Sequence, residues 1–412
     1  MKERAQPDLW LPGICASRFF MNMIHMTYAA CLPVLRASWG MSAAQAGSVA
    51  TGFQVGYAIS LLGFSWLADR VGARRIFLIS GAMSTIAALG FALFARSYAS
   101  GLALFTLTAL AQGGTYTTAI MLISDRYRSQ HRGAALGWLI AASSLSHAAS
   151  LLVTGAVLPR GGYQAAFLVT AAGPLAGMLV GWFALRGTAN VIHPGEEGSG
   201  AGVELLRNPH ATRLIVSYTG HSWELLGMWA WAPAFVAASL AVSGAMTLRA
   251  AELGAYLSAS FHLMGWVASS SMGYLSDKLG RRTVILALAA TSAACSFSFG
   301  WLVGGPLLII AVVGAVYGFT ALGDSPVLSV ALTEAVRPAY LGSALAIRSL
   351  VGFGAGAVSP VVFGLVLDAT NPAGAPASGW GWAFAVLGIG GLAAVLSAWG
   401  LPRTRRVSFR EV

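Results

Sequence analysis

The 412-residue chain is 57% hydrophobic and only 9% charged, and its formal net charge is +11. Soluble domains usually carry about 25% charged residues, so the composition excludes a soluble globular protein and indicates one that crosses a membrane several times. The three cysteines lack metal-ligand spacing and the P-loop, HExxH and GxSxG motifs are absent, so we expect no metal, no cofactor and no enzyme activity.

Twelve apolar segments follow one another along the chain, each near the ~20 residues that a helix needs to span the hydrocarbon core. They cover residues 11–35, 43–68, 75–96, 99–124, 132–158, 163–186, 211–239, 249–275, 283–303, 306–332, 340–367 and 381–402. A polar, glycine-containing stretch between the sixth and seventh is typical of a flexible linker. The predicted fold is therefore all-α, with twelve transmembrane helices in two six-helix bundles. The predicted parts are a first bundle at 1–186, a cytoplasmic linker at 187–210, a second bundle at 211–402 and a cytoplasmic tail at 403–412.

Lysine and arginine residues set the predicted orientation. Most of the 25 lie in polar stretches on the same side as both termini, and few lie on the other side. Because short loops rich in these residues stay in the cytoplasm, we expect both termini to be cytoplasmic. The protein would then be a multi-pass protein of the cell membrane, which in a bacterium is the inner membrane. The positive charge reflects topology, and we expect no binding to nucleic acid.

One charged turn occurs twice in the sequence. Residues 63–75 read Gly-Phe-Ser-Trp-Leu-Ala-Asp-Arg-Val-Gly-Ala-Arg-Arg, and residues 273–282 repeat the order of groups as Gly-Tyr-Leu-Ser-Asp-Lys-Leu-Gly-Arg-Arg. The copies lie about half a chain apart, which indicates a duplicated unit and two pseudo-symmetric bundles. Each copy is predicted to be a tight, water-facing turn between membrane helices, in which Gly72 permits a positive φ.

The first of these turns resembles the signature loop between helices 2 and 3 of the major facilitator superfamily, and the second resembles the loop between helices 8 and 9. The resemblance implies a secondary transporter with a substrate site near the bilayer midplane, between the two bundles. It also implies that acids and bases of these turns hold a cytoplasmic gate. The matching gating residues are Asp69, Arg70, Gly72, Arg74, Asp277, Lys278, Gly280 and Arg281.

A buried arginine marks the first apolar segment. An ionised arginine at mid-membrane costs at least about 2.5 kcal/mol, so it normally faces a cavity or a partner. Arg18 is followed by Asn22 and His25 at i+4 and i+7, which would place all three on one face of a continuous helix. We expect this face to contact substrate or protons, and the alternative is an internal tether to a neighbouring helix.

A second buried arginine, Arg348, lies in the eleventh segment at a depth similar to that of Asp324 in the tenth. Buried charges are usually paired, so a structural ion pair between them is one interpretation. The other is that Arg348 contacts substrate and Asp324 takes part in proton coupling.

The seventh segment carries Tyr218, His221 and Glu224. His221 and Glu224 are three residues apart and therefore neighbours on a helix. A carboxyl group beside an imidazole is a plausible proton site, and the alternative is a fixed hydrogen-bonded pair that stabilises the helix.

Several other side chains are candidates for the cavity wall. His147 and His262 are lone histidines in apolar segments and are more often packing residues, although His262 shares a helical face with Ser258 and Ser269. Four side chains could donate or accept hydrogen bonds from a ligand, or only from neighbouring helices: Gln54, Tyr57, Gln112 and Tyr116. Tyr218 is a further candidate for substrate binding, and Trp223 could line the cavity or belong to the interfacial aromatic belt.

The sequence favours one function over three alternatives. Two buried arginines suit a small anion, since a guanidinium can fork to a carboxylate. We therefore interpret the chain as a monomeric, proton-coupled transporter of a small organic anion, with substrate, protons and the lipid bilayer as its partners. The alternatives are a proton-coupled exporter of drugs or other hydrophobic compounds, an inorganic-anion carrier of the nitrate or cyanate kind, and a membrane sensor without transport. The fifth segment lacks the Gly-Pro signature usual in drug exporters of the resembled family, which disfavours the first alternative.

Overall fold

A computed structural model describes residues 9–192, 207–337, 341–371 and 379–402. Within these ranges the regular structure is helical and contains no strand. The helices are α1 Trp10–Met21, α2 Thr27–Trp39, α3 Ala43–Val71, α4 Ala73–Phe94, α5 Tyr98–Arg126, α6 Ser129–Ala184, α7 Pro209–Val242, α8 Thr247–Leu279, α9 Arg281–Phe299, α10 Leu307–Ala335, α11 Leu341–Thr370 and α12 Gly379–Trp399. The predicted tail at 403–412 and most of the predicted linker lie outside the described residues.

The first predicted segment is broken into two helices, so the expectation of one continuous helix is wrong. α1 ends at Met21, and a single 3-10 turn, Asn22–Ile24, separates it from α2. Side chains of α5 and α6 donate to carbonyl oxygens beside the break: Gln112 Nε2 to Met21 and Ser146 Oγ to Phe19, both at 2.5 Å. Backbone polar groups inside a bilayer must be satisfied within the protein, so these two donors stabilise the interruption.

Helix α6 contains two predicted segments in succession. A stretch of 53 residues, Arg132–Ala184, is apolar enough to lie in a membrane. At 1.5 Å per residue it would extend about 80 Å, far more than one crossing of the hydrocarbon core. Gly162 breaks the helix with a φ of 69°, a conformation that favours glycine. The chain therefore reverses at Gly162, in the interval that the hydropathy predicts.

Seven helical stretches within the described residues are long and apolar enough to cross a membrane by length and composition alone. The remaining helices either are short, as α1 and α2 are because of the break, or carry many polar residues. α3, α5 and α8 are rich in Ser, Thr, Gln and Gly, the residue types that line a cavity or pack helices closely. The molecule is thus a multi-pass membrane protein whose more polar helices are candidates for the cavity wall.

The two halves share a core at one end of the molecule and have separate cores at the other. Near the charged turns, one buried cluster contains only first-half residues such as Phe77 and Ile123, and another contains only second-half residues such as Ile285 and Leu332. Toward the opposite end the largest buried cluster, and a smaller one beside it, include residues of both halves. The halves are therefore packed together at one end and separate at the other. We call the end with the charged turns the turn end.

At the other end, which we call the latch end, α3 of the first half packs against α11 of the second. The backbone N–H groups of Ala43 and Ala44, at the start of α3, donate to the two carboxylate oxygens of Asp368 at 2.8 and 2.7 Å. A Cβ on Gly47 would collide with the Pro360 carbonyl, so glycine permits the close approach of the two helices there. An acid at a helix N-terminus is favourable, because the helix dipole and the free N–H groups face it.

The two charged turns have nearly the same backbone. Gly72 has φ 95° and ψ 140°, and Gly280 has φ 89° and ψ 139°. The positive φ predicted for Gly72 is confirmed, and its recurrence at Gly280 agrees with a duplicated unit. Asn190 fastens the first turn, donating to the Val71 carbonyl at 2.8 Å and accepting from the Arg75 N–H at 3.1 Å.

Candidate substrate and proton site

Arg18 is buried, with 7% of its surface exposed, in contact with three helices. Its Nε donates to Ser143 Oγ on α6 at 2.8 Å, and its Nη2 donates to the Tyr57 hydroxyl on α3 at 3.1 Å. The guanidinium carbon lies 4.6 Å from the centre of the Tyr116 ring on α5. Among the residues that the structure describes, none is hydrogen-bonded to its Nη1 and no carboxylate forms an ion pair with it. The group is held in place by neutral neighbours and retains donor capacity for an anion.

Arg348 has a similar environment in the second half. Its guanidinium carbon lies 4.1 Å from the centre of the Tyr218 ring, and its Nη1 donates to Ser329 Oγ at 2.6 Å. No described residue is hydrogen-bonded to the buried Nε. Tyr116, whose ring contacts Arg18, is close enough to Tyr218 and Arg348 to interact with them electrostatically. The two arginine–tyrosine pairs are therefore near each other, one in each half.

Asp324 contacts His221 instead of Arg348, so the pairing of Asp324 with Arg348 is wrong in this conformation. His221 Nδ1 and Asp324 Oδ1 are 2.8 Å apart, and both side chains are almost fully buried. The physical reason is that α7 packs directly on α10, whereas Arg348 on α11 turns toward Tyr218 and Ser329. Arg348 remains free to meet a ligand.

Glu224 lies inside the second half, where its carboxylate is hydrogen-bonded to a hydroxyl group rather than to His221. Its Oε1 accepts a hydrogen bond from Ser296 Oγ of α9 at 2.6 Å, and Ser296 also contacts the Tyr317 hydroxyl of α10. Only 3% of Glu224 is exposed, and no basic side chain pairs with it among the described residues. Three residues correspond to a rotation of about 300°, so His221 and Glu224 lie about 60° apart on α7. His221 contacts Asp324 of α10, whereas Glu224 contacts α9.

Three histidines and a tryptophan form a cluster between the halves. The His25 and His147 rings are stacked with centres 4.6 Å apart, and both belong to the first half. His147 also contacts Trp229 and His262 of the second half, at 5.1 and 5.5 Å between ring centres. Despite the helix break, Arg18 and His25 contact the same helix, α6, where Ser143 and His147 are one turn apart. Asn22 is buried within the 3-10 turn.

The other predicted ligand residues fall into two groups. Tyr57 and Tyr116 contact Arg18 and belong to the site. Gln112 supports the helix break through its amide nitrogen. Trp223 faces α12, where its indole N–H donates to the Val386 carbonyl at 3.0 Å, so its assignment to the substrate site is not supported by its position.

Gln54 is half-buried on α3, where it follows Phe53 in the chain and precedes Tyr57 by about one helical turn. It makes no hydrogen bond with a described residue, so its amide remains available to a ligand. Its role stays a prediction.

The gating residues of the first turn make contacts within their own half. Arg70 stacks on Trp66 at 3.8 Å, and Arg74 Nε donates to the Leu185 carbonyl at 3.1 Å. Asp69 is partly buried at the end of α3. These contacts anchor the turn to neighbouring helices.

The second turn is held by a larger ionic network. Arg281 Nη2 lies 2.5 Å from Asp277 and 2.9 Å from Glu334 of α10, while Lys278 lies over the Tyr274 ring at 4.5 Å. All of these residues belong to the second half. The described hydrogen bonds and ion pairs at the turn end therefore leave the two halves unconnected, whatever role the acids have in gating.

Sequence reasoning missed the hydroxyl groups that hold the charged residues. Ser143, Ser296, Tyr317 and Ser329 contact Arg18, Glu224 or Arg348, but hydroxyl groups are common in membrane helices and usually bond to their own backbone. Of these four, only Ser143 could have been found from the sequence, because it lies one helical turn before the candidate residue His147 on the same face. Asp368 was also missed, since an acid near a helix end is normally at the membrane surface.

Comparison with known proteins agrees with the helical arrangement. A family model described as Major Facilitator Superfamily matches residues 14–251. The probable 4-methylmuconolactone transporter of Cupriavidus pinatubonensis is 25% identical, covering 97% of this chain and 91% of that protein. The probable sulfoacetate transporter SauU of Cupriavidus necator is 24% identical, covering 96% and 95%. A solved structure of a mutant of the nucleoside transporter NupG has a TM-score of 0.76 at 13% identity, covering 95% of this chain and 99% of that one.

Proposed function

This chain belongs to the Major Facilitator Superfamily and is a membrane transporter rather than an enzyme; we propose that it carries a small organic anion with a carboxylate group, coupled to protons. The observation that carries the proposal is Arg18, a buried cation without a carboxylate partner among the described residues and with Nη1 unpartnered. Burying a charge in this way is costly unless a ligand compensates it. The anion of the substrate is the compensating group.

Arg348 supports the same assignment from the second half. It too is stacked on a tyrosine, has an unpartnered nitrogen and lacks an ion pair with a described carboxylate. A guanidinium can donate two parallel hydrogen bonds to a carboxylate. The two arginines thus offer donors from both halves, so that anion binding would draw the halves together. Two relatives are named for the organic anions 4-methylmuconolactone and sulfoacetate, in line with this substrate class.

The proton would be carried by the acids of the second half. Glu224 is buried among hydroxyl groups without a cation, and an uncompensated carboxylate there is unfavourable unless it takes up a proton. Asp324 of α10 is a second buried acid nearby, in contact with His221, which lies one turn before Glu224 on α7. We assign proton coupling to these three residues, with Glu224 as the principal carrier.

Transport would proceed by alternating access between the two halves, the first at 1–186 and the second at 211–402. The separate cores at the turn end and the shared core at the latch end support a state open toward the turn end. With the orientation expected from the Lys and Arg distribution, this end faces the cytoplasm and both termini are cytoplasmic. Closure around the anion would then bring the turns together.

The test is uptake of candidate carboxylates by purified protein in liposomes with an imposed pH difference. Arg18→Lys keeps the charge but loses the planar fork, so we expect the KM for the anion to rise about 10- to 100-fold, the effect of losing one charge-assisted hydrogen bond. Arg160→Lys, an exposed arginine at the latch end, is the matched control and should leave KM unchanged. An Arg18→Lys variant with normal KM, or wild-type protein that moves no carboxylate, would contradict the proposal.

A further inference from the structure

The imidazole–indole cluster, which consists of His25, His147, His262 and Trp229, has properties that the proposed anion site does not explain. Its rings meet across the boundary between the halves, with His147 in contact with rings of both sides. His147 and His262 are 7% and 4% exposed. Four flat, polar rings are therefore gathered at mid-depth in the molecule.

Nitrogens of this cluster lack partners. Within the described part of the chain, no group is hydrogen-bonded to the buried atoms His147 Nδ1, His262 Nδ1 and Trp229 Nε1. Buried polar groups are normally hydrogen-bonded, so three unpartnered nitrogens in one cluster indicate a ligand that completes them. The described residues contain no group of three or more His, Cys, Asp or Glu side chains arranged to hold a metal ion. An organic group is therefore the candidate partner of these ring nitrogens.

The cluster lies next to the anion site. Ser143, which accepts from Arg18 Nε at 2.8 Å, is one turn before His147 on α6. Four residues of helix rise about 6 Å, so Ser143 and His147 stand about 6 Å apart along α6, and Arg18 and the His147 ring contact successive turns of it. The Phe53 ring packs against His25 at 4.7 Å and adds a further aromatic ring to this cluster.

We propose that the imidazole–indole cluster is a second subsite, which binds a hydroxyl or carbonyl group on a flat, unsaturated carboxylate whose anionic end is held by Arg18. The inference rests on the proposed function and names the substrate class of that site. Trp229 can only donate, whereas each neutral imidazole offers one donor and one acceptor. A hydroxyl group, which both donates and accepts, matches this set. The aromatic faces stack on a planar skeleton.

The experiment measures the affinity of the purified full-length protein for two probes that differ by one hydroxyl group, benzoate and 4-hydroxybenzoate, with pentanoate as a carboxylate without a ring. Wild-type protein should bind 4-hydroxybenzoate about tenfold more tightly than benzoate, and benzoate more tightly than pentanoate. Calorimetry or thermal-shift titration provides the affinities.

Trp229→Phe and His262→Phe remove the ring nitrogens and keep aromatic packing. We expect each variant to bind 4-hydroxybenzoate and benzoate with about equal affinity, while its affinity for benzoate stays close to that of the wild type. Trp223→Phe is the matched control, because the Trp223 N–H is already bonded to the Val386 carbonyl on the other side of α7. It should keep the tenfold preference.

The outcomes separate this inference from the proposed function. Equal affinity for the two ring probes in wild-type protein, or an unchanged hydroxyl preference in both Trp229→Phe and His262→Phe, would overturn the subsite. Tight binding of pentanoate alone would overturn it while leaving an organic-anion transporter. Binding of none of the three carboxylates would remove both proposals. If one variant does not fold, the other together with the wild-type preference still decides.

Discussion

The first helices of the two halves differ in continuity and in charge. The first half begins with α1 and α2, which are separated by a 3-10 turn and carry the buried Arg18. The second begins with α7, which is continuous from Pro209 to Val242 and carries Glu224. Among the described residues, the two buried carboxylates, Glu224 and Asp324, lie in the second half and none lies in the first.

This difference indicates a division of roles within a duplicated fold. A broken membrane helix leaves polar groups at mid-depth, where they can contact a substrate. A continuous helix packed on α10, α11 and α12 instead keeps its acid inside the second half, where hydroxyl groups surround Glu224. We infer that the first half contributes most to anion binding and the second to proton coupling.

The largest expected effect that would test this division is in Glu224→Gln. The amide keeps the shape and the hydrogen bond from Ser296 but cannot release a proton, so accumulation driven by a pH difference should be abolished. Exchange of substrate across the membrane should continue, because Arg18 is intact. Liposome uptake with and without a pH difference gives both quantities.

Glu252→Gln is the control for this variant, since Glu252 is paired with Arg249 at 2.6 Å near the start of α8. Its pH-driven uptake should match that of the wild type. Uphill accumulation by Glu224→Gln would show that the proton is carried elsewhere.

A smaller effect is expected from breaking the His221–Asp324 contact. This contact adds to the difference between the halves, because it places a second buried acid in the second half. Removing one partner leaves the other buried and uncompensated, so Asp324→Asn and His221→Gln should each lower the free energy of unfolding by about 3 kcal/mol. The double variant should cost much less than the sum. Thermal unfolding in detergent provides the comparison.

Arg348→Gln serves as the reference for that cycle. Because Arg348 contacts Tyr218 and Ser329 rather than Asp324, its effect should add to that of Asp324→Asn. Coupling between Arg348 and Asp324, with additive effects for His221 and Asp324, would restore the pairing that the structure contradicts.

The smallest effect is expected at the latch end, where a second-half acid meets a first-half helix. Asp368→Asn loses the negative charge opposite the start of α3 and one of two acceptors for Ala43 and Ala44. A loss of about 1 kcal/mol would raise the population opened at this end about fivefold. Spin labels at Arg160 and Met246, on opposite halves, would report a longer distance.

Asp277→Asn is the control for the latch, because Asp277 contacts Arg281 of its own half at the turn end. It should leave the distance between the labels unchanged. An Asp368→Asn variant with the wild-type distance distribution would show that the helix N-terminus does not hold the latch closed.

The sequence predicted those features that depend on local chemistry or on cost. The order of spans follows from hydropathy, since apolar segments of sufficient length have few alternatives in lipid. The positive φ of Gly72 was predictable because the charged turn must reverse within a few residues. The buried position of Arg18 was predictable because its charge stands within an apolar segment.

The choice of partners could not be predicted, because it depends on how helices rotate against each other. The depth of Asp324 in the membrane is compatible with pairing to Arg348, yet the packing of α7 on α10 places Asp324 beside His221. Trp223 could have lined the cavity, but its rotation about α7 directs it to α12. The break in the first helix depends on Gln112 and Ser146, donors that are distant in sequence.

The sequence by itself therefore determined a duplicated, multi-pass transporter with charged turns and a buried arginine in the first helix. Hydrophobic length, glycine conformations and the cost of burying charge act within one segment, and a sequence records them directly. The tertiary structure alone decided which groups gather around Arg18, that Asp368 joins the halves, and that His25, His147, His262 and Trp229 meet. These contacts arise from helix rotation and from side chains far apart in the chain, so the periodicity of a single segment carries no information about them.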